Sequence, residues 1–266
     1  MTASGGVLGV LWTNSTAAQC EQRGCPPAVH AELQKLRSNE RAMRQKWEED
    51  ESGWHRLPPR AWPPVQPKPD ELTSIGAKLK GCAPPDDPSI SNECARLAFD
   101  LATCLVFNNI DVAAGLKTYR AFANRGDPSG MVGVGVVLVE GIGINDEAAQ
   151  AKATAEGVQW LMKACEKNDA QAQYEMGVLY YLGSRDEANT IVADEAKAYE
   201  YFALSAAQKH TSGCFMMAEC LLEGLGCAPD PARAVGLLHT AAERGHRMAR
   251  QYIREWLDED AEVYRR

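Results

Sequence analysis

The chain has 266 residues, a formal charge of −8 and 45% hydrophobic side chains. That length suits one extended domain with an appendage, and the acidic balance counts against a nucleic-acid groove, which needs clustered Lys and Arg. No run of about 18 apolar residues occurs, so no membrane span is expected.

Residues 1 to 20 carry no charged side chain, and the apolar stretch from Val7 to Trp12 is short and lacks a basic flank. It is a poor secretory signal and, without arginine, a poor transit peptide. Pro26-Pro27 then opens a predicted helix over residues 27–51, where Val29, Leu33, Leu36, Met43 and Trp47 make a narrow apolar stripe among charges of both signs. Such a helix must lean on something, either its own domain or a partner. Six prolines follow between Pro58 and Pro69, which forbid helix and favour an extended segment over residues 54–70. Trp54, Leu57 and Trp62 lie in or beside it, and with Trp47 they are the candidate partner-binding anchors of an N-terminal arm, residues 1–90. Trp54 and Trp62, eight residues apart in the sequence, would stand roughly 25 Å apart at ~3.1 Å per residue in polyproline geometry.

From residue 91 the chain repeats. Three stretches, starting at Phe122, Ala164 and Ser205, align without a gap, and their equivalent glycines are Gly141, Gly183 and Gly224. A fourth unit starts at Ala241, so the spacings are 42, 41 and 36 residues (164−122, 205−164, 241−205), the period of a two-helix repeat. Within the first helix of each unit, Gly135 and Gly177 occupy the position held by Ala218. A helical glycine costs about 1 kcal/mol relative to alanine, so these small residues predict close helix–helix contact. Gly141, Gly183 and Gly224 suit helix C-caps.

Asp111, Asp194 and Asp230 each lie eleven residues before a unit boundary, where a carboxylate can cap the second helix. Trp160, Tyr201 and Leu237 lie four residues before the boundary as candidate wedges between repeats, with Thr118 at that place in the first unit. The extra residues of the longer units are expected as loops, around 145–152 and 184–193. Upstream, Leu97, Phe99, Leu101, Ala102 and Leu105 fit a degenerate first helix that Ser91 can cap, and Met248 to Leu257 followed by an acidic tail reads as a terminal cap.

This pattern resembles the Sel1-like repeat, a relative of the tetratricopeptide repeat. Asp194 to Gly226 carries most of its consensus, and Asp230-x-x-Arg-Ala with Ala241-Ala242-x-x-Gly245 carries the second-helix half. The resemblance covers roughly residues 90 to 257. It implies an all-α fold, a right-handed α-solenoid of about four helix pairs over residues 91–266, with an extended, partly helical arm before it.

Nine cysteines are present, an odd count at irregular spacing. Cys94 and Cys104 enclose nine residues, as in helical units of mitochondrial intermembrane-space proteins, but positions ten apart on one helix are about 15 Å apart along its axis and cannot bond each other. The repeat cysteines are expected as buried free thiols. His30, His55, His210, His239 and His246 form no metal spacing, and no nucleophile–base pair stands out. Neither Gly133-Val-Gly135 nor Gly141-Ile-Gly143 has the strand–loop–helix context of a phosphate loop. No cofactor is expected.

The resemblance implies a non-catalytic scaffold whose partners are other protein subunits. Its cysteine-rich relatives direct the expectation to an accessory subunit of a mitochondrial respiratory or ribosomal complex, peripheral to any membrane. A transient adaptor or assembly factor is the alternative, with the cytoplasm as alternative compartment. A hydrolase is the weaker one.

Overall fold

The computed structural model describes residues 75–76, 78–184 and 190–263, with side chains through residue 255. The arm's tryptophans and the helix expected over 27–51 lie outside the described residues. Among the described residues there are nine helices and no strand: α1 Asn92–Phe107, α2 Val112–Asn124, α3 Pro128–Val139, α4 Glu147–Glu166, α5 Ala170–Leu182, α6 Glu195–Ala207, α7 Thr211–Glu223, α8 Pro231–Glu243 and α9 Arg247–Val263. They fall into two compact units divided between Gly213 and Cys214, and each is taken by itself.

The second helix of each pair starts where the acids predict. The backbone N–H groups of Ala114, Lys197 and Arg233 donate to the carboxylates of Asp111, Asp194 and Asp230 at 2.9, 3.0 and 3.1 Å. Each bond satisfies one of the donors a helix start leaves unpaired. The first helices are capped in the same way by a residue five positions after each unit boundary. Asp127 accepts from Ser129 N and Asp169 from Ala172 N, and at His210 and His246 the imidazole Nδ1 accepts from Gly213 N at 3.1 Å and Ala249 N at 3.3 Å. The residue before each of these caps is left-handed: Gly126, Asn168, Lys209 and Gly245 have φ of 83°, 58°, 58° and 93°. A single left-handed residue turns the chain out of one helix and into the cap of the next, and glycine does this at least cost.

In the unit ending at Gly213, α1 to α6 pack as consecutive antiparallel neighbours, and α3 also touches α5. The core runs from Ala102 and Val106 on α1, through Tyr119, Val134, Leu161 and Met176, to Leu179 on α5. Tyr119 is fully enclosed, and its hydroxyl donates to Thr103 Oγ1 at 2.8 Å, so its burial leaves no polar group unsatisfied. Close approach at the small residues is direct. A Cβ built on Gly135 would lie 3.1 Å from Gly157 O, and one on Gly157 2.8 Å from Gly135 O, so α3 and α4 cross backbone against backbone. A Cβ on Gly177 would lie 2.5 Å from the Phe202 ring. Ala218, in the other unit, is fully buried. Gly141, Gly183 and Gly224 end or follow their helices at φ of 67°, 74° and 76°.

Two features differ from the sequence reading. The fully buried side chain lies one residue after the expected wedge, at Tyr119, Leu161, Phe202 and Leu238, each at most 1% exposed, while Thr118, Trp160, Tyr201 and Leu237 are half-buried. One residue is about 100° of helix rotation, which turns a side chain from the packing glycine to the helix flank. The extra residues around 145–152 also form no loop beyond Asp146. That residue accepts from Ala149 N at 2.8 Å and starts α4 early, giving a 20-residue helix where α6 has 13.

Ahead of α1, Cys82 is bonded to Cys94, with their Cα atoms 5.7 Å apart, so the partner of Cys94 lies upstream of its helix. The intervening strap is seated by Arg125, whose Nη1 donates to Pro85 O at 3.0 Å, and by the buried Ile90. Closing a loop of this length stabilises by about 3 kcal/mol in the chain-entropy account. Cys82→Ser is therefore expected to lower the unfolding free energy by about 2–3 kcal/mol, and added reductant should bring the wild-type chain to the same value. Equal denaturation midpoints in all three samples would show that the bond does not constrain the chain.

Candidate functional site

In the unit ending at Gly213 the first helices α3 and α5 touch, and a recess lies where they meet. Val136 and Val139 of α3, Leu161 of α4, and Val178 and Leu179 of α5 wall a small cavity into which Glu175 of α5 projects. Glu140 at the end of α3 also lines it. A second shallow recess adjoins it along Val139, Val178, Leu179 and Leu182, and Leu182 is 57% exposed. Glu175 accepts a hydrogen bond from Gln171 Nε2 at 2.6 Å. Gln171 Oε1 in turn meets Nε2 of His210 at 2.9 Å, so the helix-capping histidine and the glutamate are linked through one amide. Burial pushes the Glu175 carboxyl up to about 7, against the lowering effect of Gln171, and the charge of Glu140 adds to the rise. By surface the residue as a whole is half-buried.

The aromatic positions have contacts of their own. Trp160 donates from Nε1 to Glu156 Oε1 at 3.2 Å, with Lys163 Nζ 4.4 Å from the centre of its ring. Tyr201 stacks on Tyr180, centroids 5.6 Å apart at 12°, and Lys197 stands over the Tyr180 ring. Glu156 also pairs with Arg120 at 2.8 Å across two helix pairs. The Tyr180–Tyr201, Lys197–Tyr180 and Arg120–Glu156 contacts join different helices, while those of Trp160 lie within α4. Trp47, Trp54, Leu57 and Trp62, the residues first singled out for partner binding, lie outside the described residues.

Cys104, Cys214 and Cys220 are buried and outside any disulfide, and Cys165 and Cys227 are half-buried. Burial, with the charges of Asp169 and Glu166, pushes the Cys165 thiol up to about 12, far from a reactive thiolate. Among the described residues no group of three or more His, Cys, Asp or Glu is placed to hold a metal, and no helix is long and apolar enough to cross a membrane. His239 lies 3.8 Å from Glu243 on its own helix.

The family described as Sel1 repeat matches residues 170–210 and 211–246. Among solved structures, a Sel1 repeat protein from Oxalobacter formigenes is 22% identical with a TM-score of 0.48, covering 60% of this chain and 60% of that one. A protective antigen present in uropathogenic Escherichia coli strains, displaying an SLR fold, is 24% identical with a TM-score of 0.48; the match covers 67% of this chain but 34% of the antigen. An immunity protein from Pseudomonas aeruginosa is 16% identical with a TM-score of 0.33, covering 73% of this chain and 86% of that one. The matched segments coincide with the pairs α5–α6 and α7–α8, whose caps and left-handed turns recur in register. The chain carries two consecutive Sel1 repeats, at residues 170–210 and 211–246.

Proposed function

We propose that this chain is a non-catalytic protein–protein interaction scaffold, an accessory subunit of a larger assembly whose partners are other proteins. The observation that carries the reading is the repeated helix pair, in which caps and small packing residues recur in register. A rigid preformed surface of this kind loses little conformational entropy on binding. The setting we favour is a mitochondrial complex, respiratory or ribosomal. The Cys82–Cys94 bond supports an oxidising compartment such as the intermembrane space over the reducing cytoplasm. In this reading the arm adds anchors, Trp54 and Trp62, to the surface of the helix array.

Isolation of the tagged chain from its native source tests the proposal. It is expected to bring down one or more proteins in fixed stoichiometry. The double variant Trp54→Ala, Trp62→Ala should release them, since a buried indole anchor contributes about 2 kcal/mol or more to binding, while leaving helical content and melting temperature unchanged. A wild-type chain that elutes alone would overturn the scaffold reading. A double variant that melts markedly earlier as an isolated chain would make the arm an internal strap.

A further inference from the structure

We propose that the imidazoles of His210 and His246 are acid-sensitive latches on the starts of α7 and α9, closed at neutral pH and released when the rings take up a proton. The first helices at equivalent places in the repeats are capped by Asp127, Asp169, His210 and His246. A carboxyl group keeps an acceptor oxygen whether or not it is protonated. An imidazole does not: Nδ1 accepts from Gly213 N at 3.1 Å and from Ala249 N at 3.3 Å only while it carries a lone pair. The protonated ring has two N–H donors and no acceptor, so no rotation of the ring restores the bond. It also sets a positive charge at the end of the helix where the macrodipole is itself positive. A ring that resists protonation in the fold contributes its stability at higher pH and loses it as pH falls through the imidazole range.

At His210 the neighbours set the tautomer. Gln171 uses Nε2 on Glu175 at 2.6 Å, so its Oε1 faces Nε2 of His210 at 2.9 Å and accepts the proton there, which leaves Nδ1 as the acceptor for the helix. Of the groups around this ring, α5 brings Glu175 through that amide and the Tyr174 ring, centroids 5.4 Å apart, whose phenol is pushed up to about 12 by burial and stays neutral. The end of α6 brings Ser205 O, which accepts from His210 N at 3.2 Å, and the turn brings Lys209. Glu175 favours a charged ring, but with its carboxyl raised to about 7 it is mostly neutral by about pH 6.5, where an ordinary imidazole titrates. Around His246, α7 brings Phe215, stacked with centroids 4.2 Å apart at 19°, and one turn further Glu219, whose carboxyl is also raised to about 7. The last turn of α8 brings Glu243, beside His239, and Arg244 follows it. On α9 itself stand Arg247 and the buried Arg250, whose Nε donates to Ala242 O at 2.9 Å. The face of Phe215 attracts a cation, a contact of the same order as the cap, so the adverse helix dipole and the arginines tip the balance against a charged ring.

The test compares the full-length wild type with His210→Asn, His246→Asn and the double variant, asparagine being a good cap that does not titrate. Urea denaturation between pH 8 and pH 5 should show the variants gaining on the wild type as pH falls, by up to roughly fivefold in the folding equilibrium per cap. Loss of ring packing on Tyr174 and Phe215 gives an offset that is the same at every pH, so the slope of the difference is the readout. The raised carboxyls of Glu175 and Glu219 act in the opposite sense, but all four chains share them and they cancel in the difference. His210→Asn also breaks the amide link to Glu175, so His246→Asn is the cleaner case. In NMR spectra of the wild type, the imidazole signals of both residues should titrate at lower pH than those of an unstructured Gly-Gly-His-Gly-Gly peptide, and the amide signals of Gly213 and Ala249 should move with the same midpoints. A difference between variant and wild type that does not change with pH, or imidazoles that titrate at or above the peptide, overturns the proposal. If a variant does not fold, the wild-type titration decides alone.

Discussion

Phe202→Ala is expected to lower the unfolding free energy by about 3–5 kcal/mol, the range for truncating a fully buried aromatic side chain. Phe202 has no exposed surface and faces the backbone of Gly177, where an added Cβ would stand 2.5 Å from its ring. It also meets Tyr174, centroids 6.2 Å apart, so the ring fills the contact between α5 and α6. The opposite substitution strains the same place: Gly177→Leu is expected to cost about 1–3 kcal/mol by overpacking. Because the glycine is required by the ring, the two sites are coupled, and adding Gly177→Ala to Phe202→Ala should cost less than the sum of the single changes. Urea denaturation of the four chains measures this. Tyr201→Ala is the control, since Tyr201 is half-buried and stacks on Tyr180 at the flank. A larger loss at Tyr201 than at Phe202 would return the buried register to the position that the sequence first suggests.

That one-residue difference shows where sequence reasoning reaches and where it stops. Unit boundaries, packing glycines and aspartate caps are local and repeated, so three copies define them, and the caps at Asp111, Asp194 and Asp230 are in place to within 3.1 Å. The buried face of the second helix is less legible because Trp160-Leu161 and Tyr201-Phe202 are each two large apolar residues in succession, and periodicity alone does not say which one turns inward. Histidine caps at His210 and His246 were readable in principle, since they occupy the place of Asp127 and Asp169. Histidine is an uncommon cap, which hides the equivalence. The early start of α4 depends on Asp146, outside the repeated spacing. The bond between Cys82 and Cys94 depends on how the strap folds back, which no spacing rule states. Glu175 is hidden for another reason: its repeat equivalents are Gly133 and Met216, so aligning the units averages the carboxylate away. What repeats here is architecture, and the enclosed carboxyl of Glu175 is a feature that does not repeat.

Two enclosed carboxyls should make the protein less stable at pH 8 than at pH 5. Glu219 on α7 has its Oε1 shut off from solvent with no hydrogen-bond partner, and burial, with Glu223 adding its charge, pushes its carboxyl up to about 7. Glu175 is raised to about 7 by burial, with Glu140 contributing in the same direction. An unfolded glutamate titrates near 4.5, so between that value and about 7 the folded state holds protons that the unfolded chain releases. The raised pKa therefore stabilises fully below about pH 4.5, and that contribution is lost as pH rises through 7. Each group accounts for at most roughly 3.4 kcal/mol across that window. Carboxylates with lowered pKa, such as the cap Asp194, act in the opposite sense at lower pH, so the comparison is best made between variant and wild type at each pH. Glu219→Gln should match the wild type at pH 5, where the native carboxyl is already neutral, and exceed its stability at pH 8 by about 1–3 kcal/mol. Glu175→Gln should behave alike. A difference from wild type that is the same at both pH values would mean that the folded chain ionises these groups as readily as the unfolded one, and that each enclosed carboxylate is met by a donor that offsets its burial.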